Sequence, residues 1–584
     1  MPTVGEVIRR ILPHGTNPAP PAEPALLDWR APPLWPPDLF AVAATLSTLS
    51  GAYAHAAVTG GTRASAPEAA DFVARVEDLG AVWRLLDEER MDEAMARVQE
   101  LWTALLDAGP LPVSEQPGPG ANAWCAAALE LMAIADEASA GIGFDAAASP
   151  IFSAMVAERH FSAMVANWRS GPASIDEAPL RADRTTATLC ILVPPEECCV
   201  QPKARTPQVG CTPRSLTHHL ALLPPLGEVT TSYLLSPKPA AGDRLNLLLV
   251  PYPFAMGAGA FEATELHADE GWGRFRIHQD WFPPGDPEGS GRLLATFLGE
   301  LVAEAGRRAG APVHAVVLPE LALDAERALV VGQELAKTGI HLFVSGVLTP
   351  GPDGHPPRND VMSVLYQDEA VLTYWEQSKH HRWRLERGQI EAYGLPLDPA
   401  LLWWEDADVS ARHVRFYGFH EGATLATLVC EDLARIDPVQ PVLRAVGPNL
   451  VIALLMDGPQ MSFRWPARYA TVLAEDPGST VLTITSAGLV DRHLATAVAA
   501  RRPPMERAIG LWKDASSPTR QLVLAPGSHA VLLRASLVWV EERTMDRRSD
   551  GCATREIRWG DMLQVPHPAP PDWLTPIASL TSVR

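Results

Sequence analysis

The sequence is short of basic residues, of cysteine and of long apolar segments. It has 48 lysines and arginines against 69 aspartates and glutamates, which gives a formal net charge of −21 over 584 residues. A chain with this charge repels the phosphate backbone, so we do not expect nucleic acid as a general partner. The densest basic run, at 380–387, is better explained as the rim of a pocket.

Only seven cysteines are present, and their spacing is irregular. The first ten residues lack the apolar segment and cleavage site of a secretory signal, so we expect a cytoplasmic protein with reduced thiols. Cys198, Cys199 and Cys211, followed by His218 and His219, do not show the paired two-residue spacing of structural zinc sites. We therefore expect neither disulfides nor a metal.

No apolar run is well suited to crossing a membrane. The longest stretch without a charged residue, 39–62, is diluted by threonine, serine, glycine and histidine. Such polar residues disfavour a membrane-spanning helix. We expect a buried helix at this place and no membrane contact.

The length and the changing pattern along the chain predict more than one domain, because single cores rarely grow beyond about 250–300 residues. Apolar residues three and four apart predict a mostly helical N-terminal domain over 1–175. A proline-rich connecting region with short strands follows at 176–240. Strands then alternate with helices over 241–545, which predicts an α/β domain, and 546–584 form a C-terminal extension.

Three motifs in the α/β part each place a reactive side chain directly after an apolar strand. They are Val-Val-Leu-Pro-Glu ending at Glu320, Gln-Ser-Lys ending at Lys379, and Leu-Val-Cys-Glu-Asp with Cys430 at its centre. In α/β sheets the carboxyl ends of the strands are where active sites assemble. A catalytic thiol needs a base, and the oxyanion that it creates needs a positive or N–H partner. These three residues supply a base, a cation and a thiol.

The order of these motifs resembles that of the carbon-nitrogen hydrolase family, also called the nitrilase superfamily, over about 245–540. The flanking segments are similar too: a strand at 245–250, Arg358-Asn359-Asp360 before the lysine, and a strand at 449–455 after the nucleophile. The Cys-Glu-Asp form is similar to that of members that hydrolyse the amide of glutamine. The resemblance implies a four-layer αββα sandwich that attacks an amide or nitrile carbon without a cofactor.

The resemblance also implies a role for each residue. Glu320 would be the general base, and Cys430 the nucleophile that forms a thioester with the substrate. Lys379 would stabilise the tetrahedral oxyanion together with the backbone N–H of Glu431.

Members of the family often carry a second glutamate soon after the lysine. Glu386 lies at about that distance and is our prediction, although Glu391 or Glu405 could serve instead. The family also places a substrate loop at the position of Asp457-Gly458.

The predicted function is thiol-dependent hydrolysis of a non-peptide carbon-nitrogen bond in a small-molecule amide. Nitrile hydrolysis is less favoured, because the members that perform it carry tryptophan where this chain has Glu431. Since family members usually dimerise, we expect a homo-oligomer formed through the nitrilase-like domain. Two alternatives stay open. One is acyl transfer instead of hydrolysis, and the other is a catalytically degenerate domain that serves as a regulatory, sensing or scaffold module, as in bacterial defence-type fusions.

Overall fold

The computed structural model describes residues 1–17, 27–56, 66–114, 123–142, 185–234, 242–352, 354–420 and 422–574. Its N-terminal part contains the helices Val4–Ile11, Pro36–Ser50, Tyr53–Ala56, Ala66–Leu85, Met91–Asp107 and Ala123–Glu137. Helix Val4–Ile11 is amphipathic, because it buries Val4, Val7, Ile8 and Ile11 on one face, and this burial stabilises it. Thr3 and Glu6 cap its first turn with reciprocal hydrogen bonds.

These helices share one apolar core with a two-stranded sheet from the connecting region. The sheet pairs Cys199–Pro202 with Leu220–Leu223, and Val200 and Leu220 join the cluster that contains Trp102 and Leu131. The predicted boundary at 175 lies outside the described residues.

A sheet that we call the lysine sheet ends at the strand that leads to Lys379. Three of its strands are parallel neighbours, as in α/β folds. Its order from that edge is Ala370–Ser378, Arg358–Gln367, Leu342–Thr349, Ala315–Val317, Arg244–Leu249, Ala530–Val540 and Thr554–Val565, with Leu323–Asp324 also pairing with Leu342–Thr349.

A second sheet, the cysteine sheet, contains the strand that precedes Cys430. The three central strands Ala423–Val429, Leu450–Leu455 and Thr480–Thr485 are parallel and buried at every residue, which explains their continuous apolar runs. Its order is Thr185–Thr186, Thr230–Leu234, His413–His420, Ala423–Val429, Leu450–Leu455, Thr480–Thr485, Ala508–Lys513 and Arg520–Val523.

The two sheets share one apolar cluster, to which the lysine sheet contributes Leu247 and Val317 and the cysteine sheet Leu425 and Ile452. Helices Pro287–Ala309 and Ala325–Leu335 join the lysine sheet in a second cluster. Helices Val439–Val446 and Trp465–Glu475 add residues such as Leu443 to the cluster of the cysteine sheet. The chain is therefore mixed α/β, with helices packed on the sheets.

A smaller sheet, the small sheet, packs beside this assembly. Its strand order is Arg384–Leu385, Leu402–Glu405, Trp272–Ile277 and Phe261–His267. Together with helix Arg387–Tyr393 it forms an apolar cluster that also includes Leu321 and Met456. The last helix of the α/β part is Ala487–Ala499.

Each sheet passes one of the predicted limits, since the cysteine sheet begins before 241 and the lysine sheet continues beyond 545. Strand Thr230–Leu234 pairs with His413–His420, and Thr554–Val565 pairs along the whole of Ala530–Val540. Short strands between prolines and turns are typical of a linker, and only pairing with distant residues places them in a sheet.

Within the described ranges, no helix combines the length and the apolar character that crossing a membrane requires. The same residues contain no cluster of three or more histidine, cysteine or acidic side chains arranged to hold a metal ion.

Candidate active site

Cys430 stands at a sharp turn between a strand and a helix. It follows strand Ala423–Val429 and begins the 3-10 helix Cys430–Leu433, with a φ of 45° in the left-handed region. Residues other than glycine rarely adopt this conformation, and it often marks functional sites. The thiol is buried, with 2% of the residue exposed, and the backbone N–H of Met456 lowers its pKa slightly against the larger effect of burial.

Glu320 follows the short strand Ala315–Val317 and is buried. Its Oε1 accepts hydrogen bonds from Lys379 Nζ and from Asn359 Nδ2, each at 2.8 Å. Its Oε2 is also buried but has no hydrogen-bond partner among the described residues. The adjacent strand must carry Gly346, since a Cβ there would lie 2.4 Å from the Glu320 Cα. The carboxylate thus keeps one oxygen free to accept a proton.

Lys379 is fully buried, and its ammonium pairs with two carboxylates. Its Nζ lies 2.8 Å from Glu320 Oε1 and 2.6 Å from Glu405 Oε2. Asn359 Nδ2 bridges the same two glutamates at 2.8 Å each, and the backbone N–H of Trp383 donates to Glu405 at 2.9 Å. Buried charges persist only when paired and hydrogen-bonded, and the Lys379 ammonium meets that condition.

The prediction for the second glutamate is corrected. Glu386 is exposed, caps helix Arg387–Tyr393 and pairs with Arg384. Glu391 is also exposed, whereas Glu405 lies in the cluster. Glu405, one of the two alternatives that the sequence left open, ends a strand of the small sheet 26 residues after the lysine, so spacing near Lys379 did not favour it. Its position at the end of an apolar strand was the one available signal.

Electrostatics favour a neutral thiol and a charged lysine at rest. Burial, and then Glu320, raise the pKa of the Cys430 thiol well above its usual value, and Lys379 offsets this only in part. Burial would lower the pKa of Lys379, but Glu320 and Glu405 raise it well above its usual value. Burial also raises the pKa of Glu320, with a further contribution from Glu405 and opposition from Lys379. Glu320 is thereby a stronger base than an exposed glutamate.

The side chain of Glu431 forms an ion pair with Arg435 at 2.7 Å. Its backbone N–H belongs to the first turn of the 3-10 helix that Cys430 begins. The first N–H groups of a helix have no partner within it, so this one is suited to bind an oxyanion.

The predicted substrate loop begins next to the nucleophile, because Asp457 directly follows Met456, whose backbone N–H lowers the pKa of the Cys430 thiol. Asp457 is buried and its Oδ1 accepts hydrogen bonds from Tyr393 Oη at 2.6 Å and from Arg464 at 2.8 Å. The backbone N–H of Gly458 donates to the same oxygen at 2.8 Å.

Comparison with known proteins finds no matching family model and no matching curated protein. Among solved structures, the chain is similar to an amidase of the nitrilase superfamily from Nesterenkonia, with 16% identity and a TM-score of 0.30 over 51% of this chain and 91% of that chain. It is similar to Nit3 of Saccharomyces cerevisiae, a member of branch 10 of that superfamily, with 10% identity and a TM-score of 0.28 over 59% and 96%.

A third similar structure is a CN-hydrolase superfamily protein from Xanthomonas campestris with an arsenic adduct in its active site. It shows 13% identity and a TM-score of 0.26 over 58% of this chain and 94% of that chain. At these identities and scores, the roles of individual residues rest on the geometry of the site. These three solved structures are described as members of the nitrilase or CN-hydrolase superfamily, which the sequence motifs resemble.

Proposed function

We propose that the protein hydrolyses the carbon-nitrogen bond of a non-peptide amide through a thioester on Cys430. The observation that carries the proposal is the fully buried Lys379 ammonium, bonded to Glu320 and Glu405 beside a thiol at a left-handed turn. Such a cluster is unfavourable for stability unless every charge is paired. An active site that needs a base, a cation and a thiol together accounts for it.

In the first half of the reaction, Glu320 takes the proton of the Cys430 thiol, and the sulfur attacks the amide carbon. The oxyanion that forms is stabilised by the Lys379 ammonium and the backbone N–H of Glu431. The carbon-nitrogen bond then breaks. The amine leaves with the proton held by Glu320, and the acyl group stays on sulfur.

In the second half, Glu320 accepts a proton from water while the water oxygen attacks the thioester carbon. The carbon-sulfur bond breaks, and the proton on Glu320 returns to the Cys430 sulfur. The carboxylic acid leaves and the site is restored without any oxidant or cofactor.

Two features of the site support Glu320 as the base. The raised pKa of the thiol means that the nucleophile must be deprotonated during the reaction, which requires a nearby acceptor. Glu320 has a buried Oε2 without a partner among the described residues, and its raised pKa strengthens it as a base.

Packing of the helices supports a four-layer αββα sandwich as the frame of this site. Helices Pro287–Ala309 and Ala325–Leu335 share a cluster with the lysine sheet, the two sheets share another, and Trp465–Glu475 contacts the cysteine sheet. We further propose that two or more copies associate through this domain.

Mass spectrometry of the intact protein tests the proposal. Incubation with a library of amides should add one acyl group to the wild-type chain, and the Cys430→Ala variant should show neither this adduct nor turnover while keeping its circular dichroism spectrum. Turnover that survives in Cys430→Ala would disprove the mechanism. An adduct that is released faster by added amines than by water would indicate acyl transfer instead.

A further inference from the structure

One buried carboxylate close to the site has no part in the proposed reaction. Asp432 lies two residues after the nucleophile, in the 3-10 helix Cys430–Leu433, and none of its surface is exposed. Burying a carboxylate is unfavourable unless donors surround it. Its contacts therefore indicate what it holds in place.

The donors to Asp432 come from the two residues that follow Lys379. The backbone N–H of His380 lies 3.1 Å from both carboxylate oxygens. Nδ1 of the His381 ring lies 3.0 Å from Oδ1, and only a protonated nitrogen can bond a carboxylate there. One side chain thus joins the chain just after the nucleophile to the chain just after the lysine.

The ring of His380 strengthens this connection. Its Nε2 lies 2.9 Å from the carbonyl oxygen of His413, and its Nδ1 lies 3.3 Å from Asp432 Oδ2. His413 begins strand His413–His420 of the cysteine sheet. The segment after Lys379 leaves the lysine sheet and is held on the cysteine sheet.

Asp432 remains charged in this position. Burial would raise its pKa, but hydrogen bonds from His380 and His381 outweigh burial and place the pKa below its usual value of 3.8. Its acceptor oxygens are therefore ionised at neutral pH, and the contacts with His380 and His381 are charge-assisted.

We infer that Asp432 is a positioning residue that fixes the Lys379 ammonium against the sulfur of Cys430. Lys379 and Cys430 follow strands of two different sheets, so their separation depends on how those sheets are joined. A displacement of about 1 Å at a reacting centre can lower the rate about 100-fold. This inference rests on the proposed function, because it assigns Asp432 a task within that reaction.

The test compares Asp432→Asn with a matched control, Asp514→Asn. Asp514 is also fully buried and accepts hydrogen bonds from the Trp512 ring at 2.8 Å and from backbone N–H groups of Ser517 at 2.7 Å and Trp559 at 3.0 Å. Both variants lose a buried carboxylate, so both should melt at lower temperature. Only Asp432→Asn removes a contact next to the lysine.

We expect Asp432→Asn to lower kcat by about 10- to 100-fold per folded molecule, with KM changed less than about threefold. Alkylation of Cys430 by iodoacetamide at neutral pH should slow as well, and Asp514→Asn should leave both rates unchanged. Equal kcat losses in the two variants, or a kcat of Asp432→Asn within about twofold of wild type, would overturn the inference.

If Asp432→Asn does not fold, His381→Ala provides the same test, since it removes one donor and keeps the backbone contact of His380. We expect a smaller fall in kcat, and an unchanged kcat would overturn the inference. A wild-type protein that neither acylates nor hydrolyses any amide would instead refute the proposed function, so the two failures are distinguishable.

Discussion

Replacing Glu405 with glutamine tests whether Glu405 or Glu386 is the second glutamate of the site. In the structure Glu405 Oε2 lies 2.6 Å from Lys379 Nζ, and Glu405 Oε1 accepts from Asn359 at 2.8 Å. Glutamine keeps the shape and one acceptor oxygen but removes the charge. Lys379 would then keep only Glu320 as a charged partner.

The magnitude follows from the buried ion pair. At 2.6 Å and an effective dielectric constant of about 20, the pair is worth about 6 kcal/mol before desolvation. Losing one partner of a buried pair usually costs about 3–5 kcal/mol. The retained hydrogen bond and the relief of repulsion between Glu405 and Glu320 reduce this, so we expect the free energy of unfolding to fall by about 2–3 kcal/mol.

The variant should also change the reaction. Because Glu405 helps to raise the pKa of Glu320, its neutralisation should move the acidic limb of the pH profile of kcat/KM to lower pH. We expect kcat to fall about 10- to 100-fold, which corresponds to about 1.4–2.7 kcal/mol of transition-state stabilisation. Urea unfolding and amide turnover between pH 4 and about 9 measure the two effects.

Glu386→Gln is the matched control, since Glu386 is exposed, its ion pair is with Arg384, and glutamine keeps a side-chain oxygen to cap helix Arg387–Tyr393. It should change the free energy of unfolding by less than about 0.5 kcal/mol and leave kcat unaltered. The reasoning fails if Glu405→Gln is as active and as stable as Glu386→Gln, or if Glu386→Gln proves to be the inactive variant.

Three further outcomes follow from the same geometry. Turnover should decline as the pH falls through the pKa of Glu320, because the protonated carboxyl cannot accept the thiol proton. This pKa lies above the usual glutamate value of 4.5. A kcat/KM that does not change with pH down to pH 4 would contradict this. Glu320→Gln should prevent acylation of buried Cys430 by amides while iodoacetamide labels exposed Cys552 at the same rate as in wild type. Unchanged acylation of Cys430 in the variant, read by peptide mass spectrometry, would argue against a base. Gly346→Ala should reduce the free energy of unfolding by about 3 kcal/mol, because the added Cβ would lie 2.4 Å from the Glu320 backbone. The control Gly299→Ala, whose added Cβ has its nearest neighbour at 3.6 Å, should be neutral or up to about 1 kcal/mol stabilising. Urea titration measures both variants.

Local pattern carried much of the information about this site. An apolar strand followed at once by a reactive residue is a short-range feature, and it singled out Glu320, Lys379 and Cys430, which the structure brings together. Asp432 stands in the same Cys-Glu-Asp motif, but nothing in the motif shows which donors it meets.

Longer-range features were missed for a common reason. The spacing after Lys379 favoured Glu386, yet the chain turns into helix Arg387–Tyr393 there and carries Glu386 to the surface. Glu405 returns to the lysine because strand Leu402–Glu405 pairs in parallel with Trp272–Ile277, more than a hundred residues earlier.

By itself, then, the sequence indicated the α/β character, the strands that precede Glu320, Lys379 and Cys430, and the chemical groups of the site, because periodicity and motif are properties of neighbouring residues. Only the tertiary structure decided which second carboxylate meets the buried ammonium, where the sheets begin and end, and what Asp432 joins. These depend on pairing and packing between segments far apart in the chain, whose free energy no short window of residues contains.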